Sequence, residues 1–384
     1  MGYIFKKFIH LYVLLLFFLY TFTYKMTDFD ESEINDIRDP SDFKGKTFSE
    51  FKKCDVRKEL LNSLYYSKIE PACYWSAELI CSGHYADLWE AIIEFYSKHI
   101  HLGNPKLVIY LDLRINHFKD IISKGYMNQE IRLRNNTKMR KLFCEIICIL
   151  CESKKQHSYD ELRVKKDDFD LTQLTIRFKA PDVHYGEDIY LKEDPKEIFI
   201  PINELAYNLS LEAKNGVDAC YWIEWILEFE HIQKTKKEKC ICERRTFTQV
   251  DAKFQMDIVW MIWDIFIEES LKRSSLIQKI VKSTLQLFTL KYTSACSRKR
   301  KYLLYFVVGI LTEKCELEQE LCKCKEKVSS IVSQINIIYK QIKQNEISPG
   351  TDYLYKNVKT SNLEKTIEKL DKMKHFESEF IPHV

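Results

Sequence analysis

The first candidates for a chemical role in this chain are cysteines that lie close together in the sequence. Cys148 and Cys151 form a C-x-x-C pair, and Cys144 precedes Cys148 by one helical turn. A zinc or iron–sulfur site would need further ligands, and C-x-x-C pairs that bind zinc normally lie on turns rather than inside an apolar helix. The pattern therefore favours thiols that fill a helical core as small hydrophobic groups.

Two C-x-C pairs lie in more polar surroundings. Cys240 and Cys242 follow His231 in a basic segment, whereas Cys322 and Cys324 lie near the C-terminus. The pair near His231 leaves two interpretations open, a metal clip or an exposed loop that is sensitive to oxidation.

Two histidines end the third predicted helix. His99 and His101 are two residues apart, so they cannot face one another on a helix. Basic residues at a helix C-terminus complement the helix dipole. A structural role at the end of the helix is therefore favoured over a pair of ligands, and no metal or cofactor is predicted.

Two basic clusters could contact phosphate groups. The clusters comprise Lys236, Lys237, Lys239, Arg244 and Arg245 in one segment, and Arg298, Lys299, Arg300 and Lys301 in the other. Such clusters are the electrostatic footprint of many nucleic-acid-binding proteins, although charge runs of this size are more often solvated surface. Nucleic acid is therefore an alternative partner.

Familiar catalytic motifs are absent from the sequence. It contains no GxxxxGK[ST], GxGxxG, GxSxG or HExxH pattern, and its 9 Gly leave little room for phosphate-binding loops. The sequence thus predicts a non-catalytic protein.

An internal repeat supplies the elements that position these residues. Ala-Cys-Tyr-Trp occurs at 72–75 and again at 219–222. The flanking segments match in the same order: 59–64 with 204–209, 88–94 with 262–268, and 149–152 with 310–313. The repeat also pairs Trp75 with Trp222 and Trp89 with Trp263, which predicts equivalent core positions for these side chains.

The repeat and the helical periodicity predict a mainly α protein. Two tandem related five-helix units, cyclin-box-like or helical-repeat-like, precede a C-terminal helical hairpin or coiled coil. The first unit has helical stretches at about 56–67, 70–83, 85–100, 106–124 and 129–152. The predicted boundaries are a hydrophobic leader 1–25, a mobile polar lead-in 26–55, unit 56–153, a mixed connector 154–201 with a short strand pair, unit 202–313 with a basic insertion 231–249, and a tail 314–384.

The tail carries a heptad pattern. Its seam is formed by Leu317, Leu321, Cys324, Val328, Ile331, Ile335, Ile338 and Ile342. The alternating 4-3 spacing predicts one helix over 313–345. That helix either packs against a second helix at about 361–374 or makes a homo-oligomer through 314–345.

Composition favours a helical protein in a reducing compartment. The 384 residues are enough for two cores, and only 9 Gly and 8 Pro are present to form turns. The 13 Cys are an odd number, and several lie inside apolar stretches, which favours free thiols. The net charge of +3 neither demands nor excludes nucleic acid.

The N-terminus leaves two interpretations open. Residues 8–24 are largely apolar and follow Lys6 and Lys7, as in an uncleaved membrane anchor. Met26 follows at once and begins a polar segment, so residues 1–25 could equally be a misassigned start of translation. A membrane is a partner only if the leader is genuine.

The chain resembles uncharacterised conserved proteins of nucleocytoplasmic large DNA viruses. The resemblance is carried by residues 70–84, 88–89, 97–107, 178–181 and 219–225. It covers about residues 56–313 and does not include the leader. It implies a viral protein of the infected host cytoplasm, and it implies no activity and no site residues.

We therefore expect a non-catalytic helical scaffold or adaptor of a large DNA virus that contacts protein partners. One alternative is a nucleic-acid-associated factor in viral transcription or replication. Another is a membrane-anchored virion or assembly protein, which depends on the leader. The expected location is the viral factory in the host cytoplasm or the virion, or a membrane if the leader is genuine.

Overall fold

The chain folds into α-helices joined by turns and short 3-10 segments. The computed structural model describes residues 31–127, 129–170 and 174–347. Within these ranges there is no β-strand, and Lys46 and Lys52 form an isolated antiparallel bridge. The predicted mainly α class is confirmed.

Five helices make up the first group. They are α1 (Lys53–Tyr65), α2 (Ile69–Cys81), α3 (Tyr85–Phe95), α4 (Leu107–Ser123) and α5 (Thr137–Glu152). Each lies within or overlaps one of the five predicted stretches. A π-helical turn, Tyr96–Ile100, extends α3. Pro105 separates this turn from α4, since proline cannot continue a helix that precedes it. Asn136 caps α5 by accepting the N–H of Met139.

The second group follows the connector. Its helices are α6 (Phe199–Leu209), α7 (Gly216–Lys236), α8 (Val259–Leu271), α9 (Ser275–Phe288), the short α10 (Cys296–Lys299) and α11 (Lys301–Thr312). Asn215 caps α7, and Ser274 caps α9, by accepting a backbone N–H with the side chain. Lys237 ends α7 in the left-handed conformation.

Contacts between helices build one interior from both groups. In the first group α1 packs on α2 and α3, and α2 packs on α5. In the second group α6 packs on α7 and α8, and α7 packs on α11. Helix α4 packs against α9, and α11 contacts the turn after α3. All of these helices belong to one compact unit, residues 45–339.

The lead-in predicted over 26–55 is anchored where it enters this unit. Phe48 is fully buried, and the backbone N–H of Ser49 donates to Glu78 at 3.1 Å. A mobile lead-in is therefore wrong for this stretch. Only scattered apolar residues interrupt this polar stretch, so the pattern of the sequence did not mark Phe48 as core.

The strand pair predicted in the connector 154–201 does not form among its described residues. Thr175–Arg177 is a 3-10 turn instead, and the side chain of Ile176 is 80% exposed. A strand needs a partner ladder to hold it, and two isolated strands are marginally stable in water.

The continuous helix predicted over 313–345 is wrong in its first part. The described tail forms two shorter helices, α12 (Lys325–Ser333) and α13 (Asn336–Lys343). Residues 313–324 are not helical. The side-chain amide of Asn104 donates to the carbonyl of Leu321 at 3.0 Å, which fixes this segment in a non-helical path.

The apolar stripe of the tail is covered in part by the same chain. Val328 and Ile335 are buried, and α12 packs against α5. Ile342 is buried as well, whereas Cys324 is exposed. The predicted partner helix at 361–374 lies outside the described residues.

A second, smaller unit takes in the described residues 31–44 and 340–347. Asp36 holds its two segments together. This carboxylate pairs with Arg38 at 2.6 Å and accepts the N–H of Ile347 at 2.9 Å. A buried carboxylate needs such partners because an unpaired charge in the interior is costly.

Among the described residues, no helix combines the length and the apolar character that crossing a bilayer requires. The leader 1–25 lies outside the described residues.

The matched tryptophans do not all lie in the core. Trp222, Trp89 and Trp263 are at most 3% exposed, as predicted. Trp75 is half-buried, and its ring contacts Phe51 edge-to-face at 5.5 Å. The core prediction is therefore wrong for Trp75, because a neighbouring ring shields only part of its surface.

Replacing Trp222 by Ala should lower the free energy of unfolding by about 3–5 kcal/mol, since a fully buried indole leaves a large cavity. The matched Trp75→Ala change should cost less than half as much. Urea unfolding of both variants measures the difference. Equal losses would contradict the assignment of only one of the two rings to the core.

Candidate functional site

The turn after α3 places a histidine in a strained conformation. His101 follows the π-helical turn and has φ 45° and ψ −125°. Residues other than glycine seldom adopt a positive φ. Such strain persists only where the surrounding structure imposes it, and it concentrates at functional sites.

Packing against α11 imposes this conformation. A Cβ atom on Gly309 would lie 3.0 Å from Cε1 of His101, so only glycine leaves room for the ring. The imidazole hydrogen bonds to the backbone carbonyl of Tyr305 and meets the ring of Phe306 edge-to-face at 5.7 Å. The ring of His101 is thus fixed on the surface of α11.

A second wall comes from the segment after α5. The N–H of Ser158 donates to the carbonyl of Lys98 at 2.9 Å, which ties this segment to the π-helical turn. The ring of Tyr159 meets the ring of His101 at 5.9 Å, and its hydroxyl donates to Glu313. Gly216 leaves the space that this hydroxyl occupies.

These walls enclose a pocket of about 490 Å³, a size typical of ligand sites. His101 and Ser158 line it and are 2% and 6% exposed. The Nε2 atom of His101 and the hydroxyl of Ser158 have no hydrogen-bond partner among the described residues. Buried polar atoms are normally paired, so these two atoms are candidates for contact with a ligand.

The charge state of the pocket follows from burial. Desolvation lowers the pKa of His101 to about 4, although the hydrogen bond to the Tyr305 carbonyl opposes it. Burial, followed by the hydrogen bond to Glu313, raises the pKa of Tyr159. Both groups are therefore neutral near pH 7, and the free Nε2 of His101 is a hydrogen-bond acceptor.

Sequence reasoning placed His101 at the end of a helix and missed the pocket. Its other walls, at Tyr159 and Glu313, are far away along the chain, and no pattern joins them to the histidine. His99 is half-buried, and its ring packs against the rings of Phe95, Tyr65 and His157. Burial, with a smaller effect of His157, lowers its pKa to about 4.

Arg245 was predicted as a phosphate contact, and the structure contradicts this. Its side chain is 3% exposed and lies 2.7 Å from both Asp194 and Asp264. It also donates to the carbonyl of Ile189. These bonds tie the connector and the insertion to α8, so the guanidinium is an internal structural group.

Arg300 is likewise internal, which corrects its assignment as a phosphate contact. It is 3% exposed, pairs with Glu90 of α3 and donates to the carbonyl of Phe288 at 2.6 Å. The lysines on either side of Arg300 in the sequence also form ion pairs. Lys299 pairs with Glu90 at 3.4 Å, and Lys301 pairs with Glu224 at 3.1 Å.

Arg298 pairs with Glu228 at 2.6 Å but remains 44% exposed. Four basic residues of the insertion lie fully at the surface. They are Lys236, Lys237, Lys239 and Arg244. Among the described residues they make no ion pair, so they are the part of the predicted basic surface that stays accessible.

The C-x-C pair of the insertion is buried. Cys240 and Cys242 are 6% and 2% exposed, and the thiol of Cys242 donates to the carbonyl of Asp257. The exposed loop proposed for them is therefore wrong. His231 and these thiols do not form a group of three ligand atoms within the described part of the chain.

The structure groups the cysteines of α5 differently from their spacing in the sequence. Cys144 and Cys148 lie beside Cys73 of α2, and Cys151 is not part of this group. All thirteen cysteines are free, and all thirteen lie within the described ranges.

The variant His101→Asn tests the pocket through pH. The unfolded chain binds the imidazole proton near pH 6.5 and the folded chain near pH 4. The contribution of neutral His101 to the free energy of unfolding is therefore fully present above about pH 6.5, and it is lost as the pH falls toward 4. Between pH 8 and pH 5 the free energy of unfolding of the wild type should fall by about 2 kcal/mol more than that of the variant.

Asparagine is among the non-glycine residues most often found at a positive φ, and the difference at pH 8 measures any effect of the substitution on strain or packing. Urea unfolding at both pH values provides the measurement. Parallel pH profiles of wild type and variant would show that His101 titrates alike in both states.

Compared with protein-family models, with curated proteins and with solved structures, the chain gives no match. The resemblance to viral proteins therefore rests on the residues quoted for it. The function has to be inferred from the geometry of the pocket and of the helices that form it.

Proposed function

We propose that the protein is a non-catalytic helical adaptor that binds partner proteins. It is built from two related five-helix units, and the short α10 is an addition to the second unit. The second helix of each group carries the Ala-Cys-Tyr-Trp sequence. In both groups this helix packs on the first and on the last helix, and the first packs on the third. This shared order of contacts supports a duplicated, cyclin-box-like or helical-repeat-like unit.

The pocket beside His101 is the observation that carries the proposal. It lies where the two helix groups meet, because the turn after α3 supplies one wall and the ends of α7 and α11, at Val217 and Glu313, supply others. Clefts between packed units are preferred ligand sites. A partner that docks there contacts both groups at once.

The chemistry of the pocket selects a partner that donates hydrogen bonds. Its acceptors are the free Nε2 of His101, the hydroxyl oxygen of Ser158 and the carboxylates of Asp160 and Glu313. An arginine or lysine side chain of a partner segment fits this set, since hydrogen bonds between ionised groups are the strong ones.

Affinity purification of the tagged full chain from infected cells tests this proposal. Glu313→Gln removes one charged acceptor of the pocket and should reduce the recovered partner about tenfold, because a hydrogen bond to a charged group contributes about 1.5–3 kcal/mol. Glu316→Gln is the matched control, since Glu316 is exposed three residues further on. Quantitative mass spectrometry compares both variants with wild type.

Equal recovery with the two variants would remove the pocket from the proposal. Partners that vanish after nuclease treatment would replace the adaptor by a nucleic-acid-associated factor.

The exposed basic residues favour that second candidate, a factor that binds nucleic acid in viral transcription or replication. Lys236, Lys237 and Lys239 lie close together at the end of α7 and its following turn. Their charges are not consumed by ion pairs among the described residues, unlike that of Arg245.

Changing these three lysines to glutamine should lower the salt dependence of nucleic-acid binding. Each lost phosphate contact reduces the magnitude of the slope of log K against log salt by about 0.7–0.9. The slope of the triple variant should therefore be smaller in magnitude by about 2–3. Anisotropy with a labelled single strand measures the slope. A triple variant at Lys58, Lys119 and Lys124, all exposed, is the control; an equal change there contradicts a specific surface.

We place this adaptor in the cytoplasm of an infected host cell, at the viral factory, or in the virion. The thirteen free thiols support a reducing compartment, and the residues that resemble large DNA virus proteins support a viral source. Membrane attachment through residues 8–24 and self-association through 314–345 remain proposals that rest on the sequence.

A further inference from the structure

Helices α2 and α5 bring three thiols together in the interior of the first helix group. Cys73 comes from α2, and Cys144 and Cys148 lie one turn apart on α5. All three are at most 3% exposed. Their sulfur atoms lie within 4.8 Å of one another, and those of Cys73 and Cys144 are 4.0 Å apart.

This triangle has the dimensions of a metal site. Three sulfur atoms at the Cys73–Cys144 distance of 4.0 Å would lie about 2.3 Å from their common centre, which is the length of a metal–thiolate bond. At the outer limit of 4.8 Å the centre would be about 2.8 Å away, so the thiols close by a few tenths of an ångström when they bind a metal. Thiolates select soft cations such as Cu(I) and Zn(II). No histidine, aspartate or glutamate of the described residues joins the group.

We propose that Cys73, Cys144 and Cys148 form a three-thiolate site that binds Cu(I). Structural Zn(II) sites in proteins take four ligands, whereas Cu(I) is satisfied by three sulfur atoms. Binding breaks three S–H bonds, forms three Cu–S bonds and releases three protons. The copper remains Cu(I), so no oxidant or reductant is needed.

The second Ala-Cys-Tyr-Trp copy provides a natural comparison. Cys220 occupies the same place in that sequence and is fully buried. Among the described residues it belongs to no group of three ligand atoms. A buried cysteine at this position therefore does not by itself make a site. The thiols of α5 distinguish the first copy.

The three thiols are closed to solvent. The cation therefore enters when α2 and α5 separate locally or before they pack.

Anaerobic titration of the reduced full chain with Cu(I), in competition with a chromophoric chelator, tests the site. We expect one Cu(I) per chain, with three sulfur ligands at about 2.3 Å by X-ray absorption. Cys73→Ala and Cys148→Ala should each weaken binding by more than about tenfold. Cys220→Ala and Cys151→Ala should leave it unchanged, and helical circular dichroism verifies the fold of each variant.

A measurement on the wild-type chain does not depend on variants that fold. Bound Cu(I) should protect Cys73, Cys144 and Cys148 from alkylation in mild denaturant, while Cys220 reacts. Equal protection of Cys220, preferential binding of Zn(II), or a Cys73–Cys144 disulfide in place of bound copper would each overturn the proposal.

Discussion

The contact between His101 and Gly309 is the constraint on which the candidate site depends. It fixes the ring on α11 and holds the backbone of the turn in a strained conformation. A side chain at Gly309 would push the ring off the helix. Because Tyr159 packs on the same ring, the second wall of the pocket depends on this contact too.

Buried arginines fix the loops that surround the helices. Arg245 joins three segments through Asp194 and Asp264, and Arg300 joins α3 to the end of α9. Removing a charge from water is costly, and only close partners with good hydrogen bonds offset that cost. Both residues belong to runs of positive charge in the sequence, where a buried, paired arginine looks the same as a solvated one.

The helices could be predicted from the sequence, and the tertiary roles of single residues could not. Periodic apolar residues and scarce glycine located the five stretches of the first group. The spacing of residues along the chain carries no information about tertiary hydrogen bonds. The heptad pattern therefore predicted a helix at Leu321, where the hydrogen bond from Asn104 holds the backbone in a non-helical path. The pocket joins distant segments, and the third thiol of the cysteine group comes from another helix, so neither has a local signature.

The last helices of the two groups carry different residues at positions that the sequence repeat aligns. Aligning 149–152 with 310–313 sets Cys144 against Tyr305 and Cys148 against Gly309. In α5 these positions face Cys73 and complete the thiol group. In α11 the carbonyl of Tyr305 and the bare backbone of Gly309 hold His101 instead. The aligned position is thus a cysteine beside Cys73 in α5 and a glycine that leaves room for the ring of His101 in α11, so one residue change separates a thiol contact from a histidine contact.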